Sequence, residues 1–142
     1  MGWCYMAKTF QLEIIACERI FFRGECESLI FPGMDGEHGI LADHESMVTC
    51  VSPGELKFKT SEGWQAAAVS KGFIETTGDK VVLLADTVER PEEIDEKRAS
   101  AAMMRAQERL RQQQSIKEYY ESKAALNRAM NRLRISTKHH IN

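Results

Sequence analysis

The amino-acid sequence predicts a β + α protein, an N-terminal antiparallel β-sandwich followed by a C-terminal two-helix antiparallel hairpin. Three observations carry that reading. From Lys8 to Ala85, short runs of β-forming residues recur between turn residues at intervals of about 8 to 12 positions, the spacing of sandwich and barrel strands. After Pro91 the chain has no Gly or Pro, and Ala99, Ala102, Ala106 and Leu110 recur at helical spacing. Between the two lies Glu89 to Ala99, where period-two alternation stops and helical spacing begins. The expected organisation is an N-terminal extension over 1–7, a β-sandwich domain over 8–88, and a hinge with a helical hairpin over 89–142. Met6, which opens Met-Ala-Lys-Thr, could be read as a second start within the extension.

In the first domain, Phe10, Leu12 and Ile14 alternate with Gln11 and Glu13, which gives one strand an apolar face. Arg19 to Arg23 and Cys26 to Phe31 follow, with Gly24-Glu25 expected as a hairpin turn and Pro32-Gly33 as the stop. Further strands are expected over Met47 to Val51, Glu55 to Lys59, Trp64 to Val69, Phe73 to Thr76 and Lys80 to Ala85. The turns between them are Ser52-Pro53-Gly54, Ser61-Glu62-Gly63, Lys71-Gly72 and Thr77-Gly78-Asp79. In the last run Val81, Leu83 and Ala85 face one way while Val82 and Leu84 face the other. That strand is therefore either buried on both sides or laid against a partner.

In the second domain, Ala99, Ala102, Ala106 and Leu110 give the first helix a small-residue face. Ile116, Tyr119, Leu126, Met130 and Leu133 give the second helix its stripe, broken once at Lys123. Arg111-Gln112-Gln113-Gln114-Ser115 between them is polar but has no Gly or Pro, so only a weak breaker separates the helices. Thr137 to Asn142 carries no pattern and is expected to fray.

A chain of 142 residues can bury a real core but is too short for two large independent domains. Its longest apolar run is far short of the roughly 20 residues that a membrane helix needs, and its start does not read as a secretion signal. A soluble intracellular protein is expected. Cys4, Cys17, Cys26 and Cys50 form no Cys-x-x-Cys pair and read as buried free thiols. The net charge of −2 divides unevenly: 8 Lys and Arg against 14 Asp and Glu up to Arg90 give −6, and 11 against 7 after it give +4. A basic second half suits an anionic partner or ligand, although basic residues also simply solvate helices. Nucleic acid is not that partner, because the acidic first half would repel it and the helices lack aromatic stacking platforms.

Gly33 to His44 contains Gly33, Gly36 and Gly39 at three-residue spacing. A phosphate-cradling loop must open a helix, and nothing after Ile40 reads as one, so the glycines are expected to shape a projecting loop. His38, His44 and Glu45 could form a metal site at a sandwich mouth, as in a small cupin-like metal enzyme. That is the alternative function, although the histidines stand six apart where a cupin's first motif has them two apart. No other nucleophile, carboxylate pair or metal cluster reads as a catalytic centre.

Around the hinge, Pro91, Glu92 and Glu93 suit a helix start, and Asp95 suits the cap of a helix beginning one turn later. Arg98 near that start is disfavoured by the helix dipole, so it answers an anion or a carboxylate; Asp95 would serve. Arg128 and Arg132 are four apart, so both forks leave one side of a helix and repel unless an anion lies between them. If the helices fold back, this pair approaches the start of the first helix, where Arg98 and Arg105 lie, and a polyphosphate would satisfy all of them.

The hexapeptide Ile94-Asp95-Glu96-Lys97-Arg98-Ala99, the Gly33 to His44 loop with Gly39-Ile40-Leu41, and Arg128-Ala129-Met130-Asn131-Arg132-Leu133 together resemble the epsilon subunits of bacterial F-type ATP synthases. The resemblance runs from about Lys8 to Leu133 and includes Leu84-Ala85-Asp86. The five-residue start, Pro91 in the hinge, and Glu96-Lys97 in the motif's free positions are departures. The resemblance implies a non-catalytic rotor component of a proton-translocating enzyme, peripheral on the cytoplasmic face of the bacterial cell membrane. It implies that the sandwich binds the gamma subunit and the c-subunit ring, with Glu37 and His38 at the ring. It implies that the helices restrain ATP hydrolysis by meeting the alpha/beta head when extended. And it implies a regulatory ATP site of Glu89, Asp95, Arg98, Ala99, Arg105, Arg128 and Arg132, with no metal and no catalytic cofactor.

Overall fold

A computed structural model describes residues 8–112 and 116–140. The chain divides into one unit ending at Val88 and a second beginning at Glu89.

The first unit is a β-sandwich. Its strands are β1 (Phe10–Ala16), β2 (Ile20–Cys26), β3 (Ser28–Gly33), β4 (Gly36–Leu41), β5 (Met47–Val51), β6 (Gly54–Thr60), β7 (Gly63–Val69), β8 (Gly72–Thr77) and β9 (Lys80–Ala85). A two-residue strand, β10 (Val88–Glu89), follows at the unit boundary. One sheet has the order β2-β1-β9-β8-β5 and the other β10-β7-β6-β3-β4. Alternation decides which side chains meet: β1 and β6 bury every second residue, so Phe10, Leu12, Ile14, Leu56 and Phe58 face inward. With Leu29, Phe31, Ile74, Val81 and Leu83 they form one continuous core. Phe22 joins it by tilting against Phe58, ring centroids 4.8 Å apart.

The order of the chain differs from the expected meander. Gly24 and Glu25 are not a turn: they lie inside β2, where Gly24 pairs with Leu12 of β1. The chain instead changes sheets at Glu27, because β2 pairs with β1 while β3 pairs with β4 and β6. Gly33 to Leu41 is not an open loop either. Gly36–Leu41 is a strand paired along its length with Ser28–Gly33, and the tip between them is Met34-Asp35. In the centre of its sheet β1 pairs with β9 in parallel. No hairpin joins these two distant strands, so no turn imposes an antiparallel direction.

Gly72 stands where β8 crosses β9. A Cβ there would run into the carbonyl oxygen of Leu84, so the two backbones approach as only glycine allows.

In the second unit, Pro91–Glu93 makes one 3₁₀ turn, closed by the Ile94 N–H donating to the Pro91 carbonyl at 3.3 Å. Pro91 and Ile94 are buried. Then come α1 (Glu96–Gln112) and α2 (Ile116–His140). The start of α1 bonds to the end of α2, Ser136 to Glu96, so the helices run antiparallel. Small residues let them approach: Ala99 and Ala106 of α1 and Ser122, Ala129 and Ser136 of α2 are buried. Of the stripe expected on α2, Leu126 and Leu133 are half-buried but Met130 is exposed. The expected side-chain position of Ile116 lies outside the described residues. Thr137 does not begin a frayed tail, since α2 continues to His140; residues 141–142 lie outside the description. Of the weak breaker expected over Arg111 to Ser115, Arg111 and Gln112 still belong to α1, while residues 113–115 lie outside the description, as does the extension at 1–7.

Candidate functional site

The residues singled out around the hinge fall into two groups. Asp95 is the N-cap of α1: its carboxylate Oδ1 accepts the Arg98 N–H at 3.1 Å, and its carbonyl accepts the Ala99 N–H at 2.9 Å. A carboxylate three residues ahead of the donor it satisfies is an N-cap, and its charge also suits the positive end of the helix. Asp95 therefore meets the backbone of Arg98 rather than its guanidinium. Ala99 is buried directly behind this cap.

The second group joins the hinge to α2. The Arg132 Nη2 donates to the Glu89 Oε2 at 2.9 Å, with the two side chains 33% and 24% exposed. The Arg132 Nε is buried with no hydrogen-bond partner. A guanidinium in this position holds one carboxylate with part of its fork and leaves a donor unmet, and an unmet buried donor costs about 1 to 3 kcal/mol. One turn beyond, the Ser136 hydroxyl, fully buried, donates to the Glu96 Oε1 at 2.9 Å. Arg98, Arg105 and Arg128 are exposed. Arg98 and Arg105 are two turns apart on one side of α1, and Arg128 stands one turn before Arg132 on α2.

Sequence reasoning named Glu89 and Arg132 but missed the contact of Glu96 with Ser136. The signal was present in part, because Glu96 occupies a free position of the hexapeptide as a charged residue, while nothing in the sequence marks Ser136.

The histidine and glutamate set of the sandwich does not converge. The His38 Nε2 donates to the Asp35 carboxylate at 2.7 Å, and the His38 ring stacks on Phe31 at 5.3 Å. His44 turns instead to the Leu41 carbonyl, 3.0 Å from its Nδ1, which must carry the proton because a carbonyl only accepts. Its ring meets Phe10 edge-on. Among the described residues no cluster of three His, Cys, Asp or Glu side chains has the arrangement of a metal site. His38 has a packing duty: it lies where a Cβ on Gly33 would be, so Gly33 makes room for the ring that closes the β3–β4 tip. Gly36, with φ +127°, makes the turn that follows. The pairing with His38 holds the Asp35 carboxyl below the usual carboxylate range. Glu37 is exposed on β4, beside this fastened tip.

The thiols are free but not uniformly buried. Cys26 is buried, and burial pushes its thiol up in pKa while its Sγ donates to the Ser28 carbonyl at 3.0 Å. Cys17, just after β1, and Cys50, on the outward side of β5 beside buried Val51, are exposed, against expectation. With Ile15, Phe73 and Leu84 they line an apolar groove. The last strand of the sheet is accordingly buried on one side only: Val81, Leu83 and Ala85 are covered, and Leu84 is 48% exposed.

No helix among the described residues is long and apolar enough to cross a membrane.

Comparison with known proteins adds the family. Residues 9–91 match the model of the ATP synthase delta/epsilon chain β-sandwich domain, and residues 92–137 that of its long α-helix domain. The ATP synthase epsilon chain of Ruminiclostridium cellulolyticum is 50% identical over 125 residues, 88% of this chain and 93% of that protein. That of Caldicellulosiruptor saccharolyticus is 45% identical over 126 residues, 89% of this chain and 92% of that protein. In fold, the chain is similar over its whole length to a chain from the Euglena gracilis mitochondrial ATP synthase structure containing OSCP, F1 and c-ring. There the TM-score is 0.78, the identity 19% and the coverage of that chain 87%. Two family models that together span residues 9–137, and relatives this similar over nearly their full length, show that the chain belongs to the ATP synthase delta/epsilon family and is an epsilon subunit of the F-type enzyme.

Proposed function

We propose that the chain is a non-catalytic component of the central rotor. In this reading the sandwich couples ion flow to ATP synthesis, and the helical unit restrains ATP hydrolysis under the control of bound ATP. The sandwich would do its part by holding the gamma subunit and the c-subunit ring, peripheral to the cytoplasmic face of the cell membrane. The apolar groove with exposed Phe73 and Leu84 supports a protein partner, since an uncovered apolar face of a sheet is stabilised when a partner buries it. The fastened β3–β4 tip, with Glu37 beside it and His38 inside it, supports a contact loop that keeps its shape when loaded.

The observation that carries the nucleotide reading is Arg132. It is positioned at the hinge by Glu89 and keeps a buried Nε without a partner, next to a helix start already organised by Asp95. A phosphate oxygen accepts from a guanidinium as a carboxylate does. ATP phosphates would draw on Arg98, Arg105, Arg128 and Arg132, and Glu89, Asp95 and Ala99 would frame the nucleoside side. Isothermal calorimetry on the full chain tests this. ATP is expected to bind, and Arg128→Ala to weaken it about tenfold to a hundredfold, the effect of losing one charged hydrogen bond. Equal binding by the variant removes Arg128 from the site, and no heat with the parent chain removes the site.

A further inference from the structure

The two contacts that join the hinge to α2 consist only of the chain's own groups. Glu89 lies 43 residues from Arg132 and meets it at 2.9 Å; Glu96 lies 40 residues from Ser136 and meets it at 2.9 Å. Both sit at the end of the hairpin away from its connection, where the start of α1 meets the last turns of α2. A contact there has the greatest leverage on opening, because the connection already keeps the other end together whether the helices are folded back or extended. The fully buried packing between the helices is largely of small side chains, Ala99, Ala106, Ser122 and Ala129, which bury little apolar area each, with Ile135 as the large buried side chain and Leu126 and Leu133 half-buried. Polar contacts at the open end therefore add to a modest apolar seam in favouring the folded-back form.

We propose that Glu89 with Arg132 and Glu96 with Ser136 form a two-point clasp that keeps the hairpin closed by itself, with nucleotide adding to a closure already in place. Glu89 does for Arg132 part of what a phosphate would do, which is to offer an acceptor to a guanidinium that otherwise stands beside like charges. Glu96 makes the second point specific: the Ser136 hydroxyl is fully buried, and on opening it must give up a charge-assisted hydrogen bond. The inference deepens the reading of the helices as a switch, and rests on that reading only for its meaning in the enzyme. The closure itself needs neither ATP nor partner subunits.

The test is a distance measurement by double electron–electron resonance on the full-length chain, with no nucleotide added. Spin labels replace Lys97 at the start of α1 and Thr137 near the end of α2, both exposed, with Cys4, Cys17, Cys26 and Cys50 changed to alanine. The parent is expected to give predominantly a short distance. Glu89→Gln and Ser136→Ala should each lower the closed-to-open ratio roughly fivefold, the effect of about 1 kcal/mol for a partly exposed polar contact. Glu89→Arg should open the hairpin, and the reversed pair Glu89→Arg with Arg132→Glu should close it again. That rescue distinguishes a broken clasp from a misfolded helix. A parent that is mostly open, or a Glu89→Arg variant with the parent's distances, or a reversed pair that stays open, overturns the clasp. Calorimetry on the same samples separates the two readings: a closed hairpin that takes no ATP keeps the clasp and removes the nucleotide site, and an open parent that binds ATP does the reverse.

Discussion

At the scale of single residues, burial and one hydrogen bond sort groups that composition treats alike. Three described cysteines are free, yet only Cys26 lies in the core, where burial raises its thiol pKa. The thiolate is the reactive form, so a maleimide at neutral pH should modify Cys17 and Cys50 within minutes and leave Cys26 unmodified until the sandwich unfolds. Peptide mapping by mass spectrometry reads this directly, and early labelling of Cys26 would show that its strand opens in the native state. Asp35 offers a second residue-scale test. Its carboxyl is held low by the bond from His38, so the bond favours the folded tip at pH values above the ordinary aspartate range. The contribution fades as pH falls through the lowered folded-state pKa, where Asp35 takes up a proton. In His38→Ala the Asp35 carbon resonance should titrate at a higher pH than in the parent, near the unperturbed value of about 3.9. An unchanged midpoint would assign the shift to the tip's backbone instead.

At the scale of elements, the sequence announces those whose pattern is local and hides those made by pairing. β1 and β6 alternate strictly and were readable residue by residue, as was the helical spacing of α1 and the cap at Asp95. β4 was not readable. Gly36-Glu37-His38-Gly39 has poor strand propensity and forms a strand because β3 supplies its hydrogen-bond partners. The same competition misled the reading of Gly24-Glu25, a good turn dipeptide that β1 draws into β2. Of the hinge site, the cap at Asp95 and the four-residue spacing of Arg128 and Arg132 were legible from the residues, while Glu89 entered only with the family resemblance, and the pairing of Glu96 with Ser136 joins residues 40 apart and leaves no local trace. Gly72 shows how an element-scale contact becomes a mutational prediction. Because a Cβ there would collide with the Leu84 backbone, Gly72→Ala must push β8 away from β9 in the middle of their sheet. The expected loss is about 2 to 4 kcal/mol by urea denaturation, above the roughly 1 kcal/mol of an average substitution. Gly39→Ala, where a Cβ would meet nothing, serves as the control and should change stability by less than about 1 kcal/mol. Equal midpoints for the two variants would refute the close approach.

At the scale of the whole molecule, the question is which half depends on the other. Among the described residues the core of the sandwich is drawn from those between Phe10 and Val88, with Phe10, Leu12, Ile14, Leu29, Phe31, Leu56, Phe58, Ile74, Val81 and Leu83 almost wholly removed from water. The helical unit has a smaller apolar centre: among its described residues Ile135 is the large side chain that is fully buried, Pro91 and Ile94 are buried in the hinge, Leu126 and Leu133 are half-buried, and the other buried residues are alanine and serine. A chain cut after Arg90 keeps every one of the sandwich's core residues, the β3–β4 tip and the apolar groove. We therefore expect that fragment to give a strand-type circular dichroism spectrum and a cooperative thermal transition, with Phe58→Ala lowering its stability by about 3 to 5 kcal/mol as in any packed core. If the proposed division of labour holds, the fragment reconstituted in place of the full chain should support ion-driven ATP synthesis while ATP hydrolysis loses its restraint. The reverse fragment, from Glu89 onward, should be far less stable alone, because helices in water draw most of their stability from packing an apolar face and this pair has little of one. An N-terminal fragment that is unfolded, or a C-terminal one that melts as cooperatively as the sandwich, would show that the stability of the molecule is not divided where its two compact units divide.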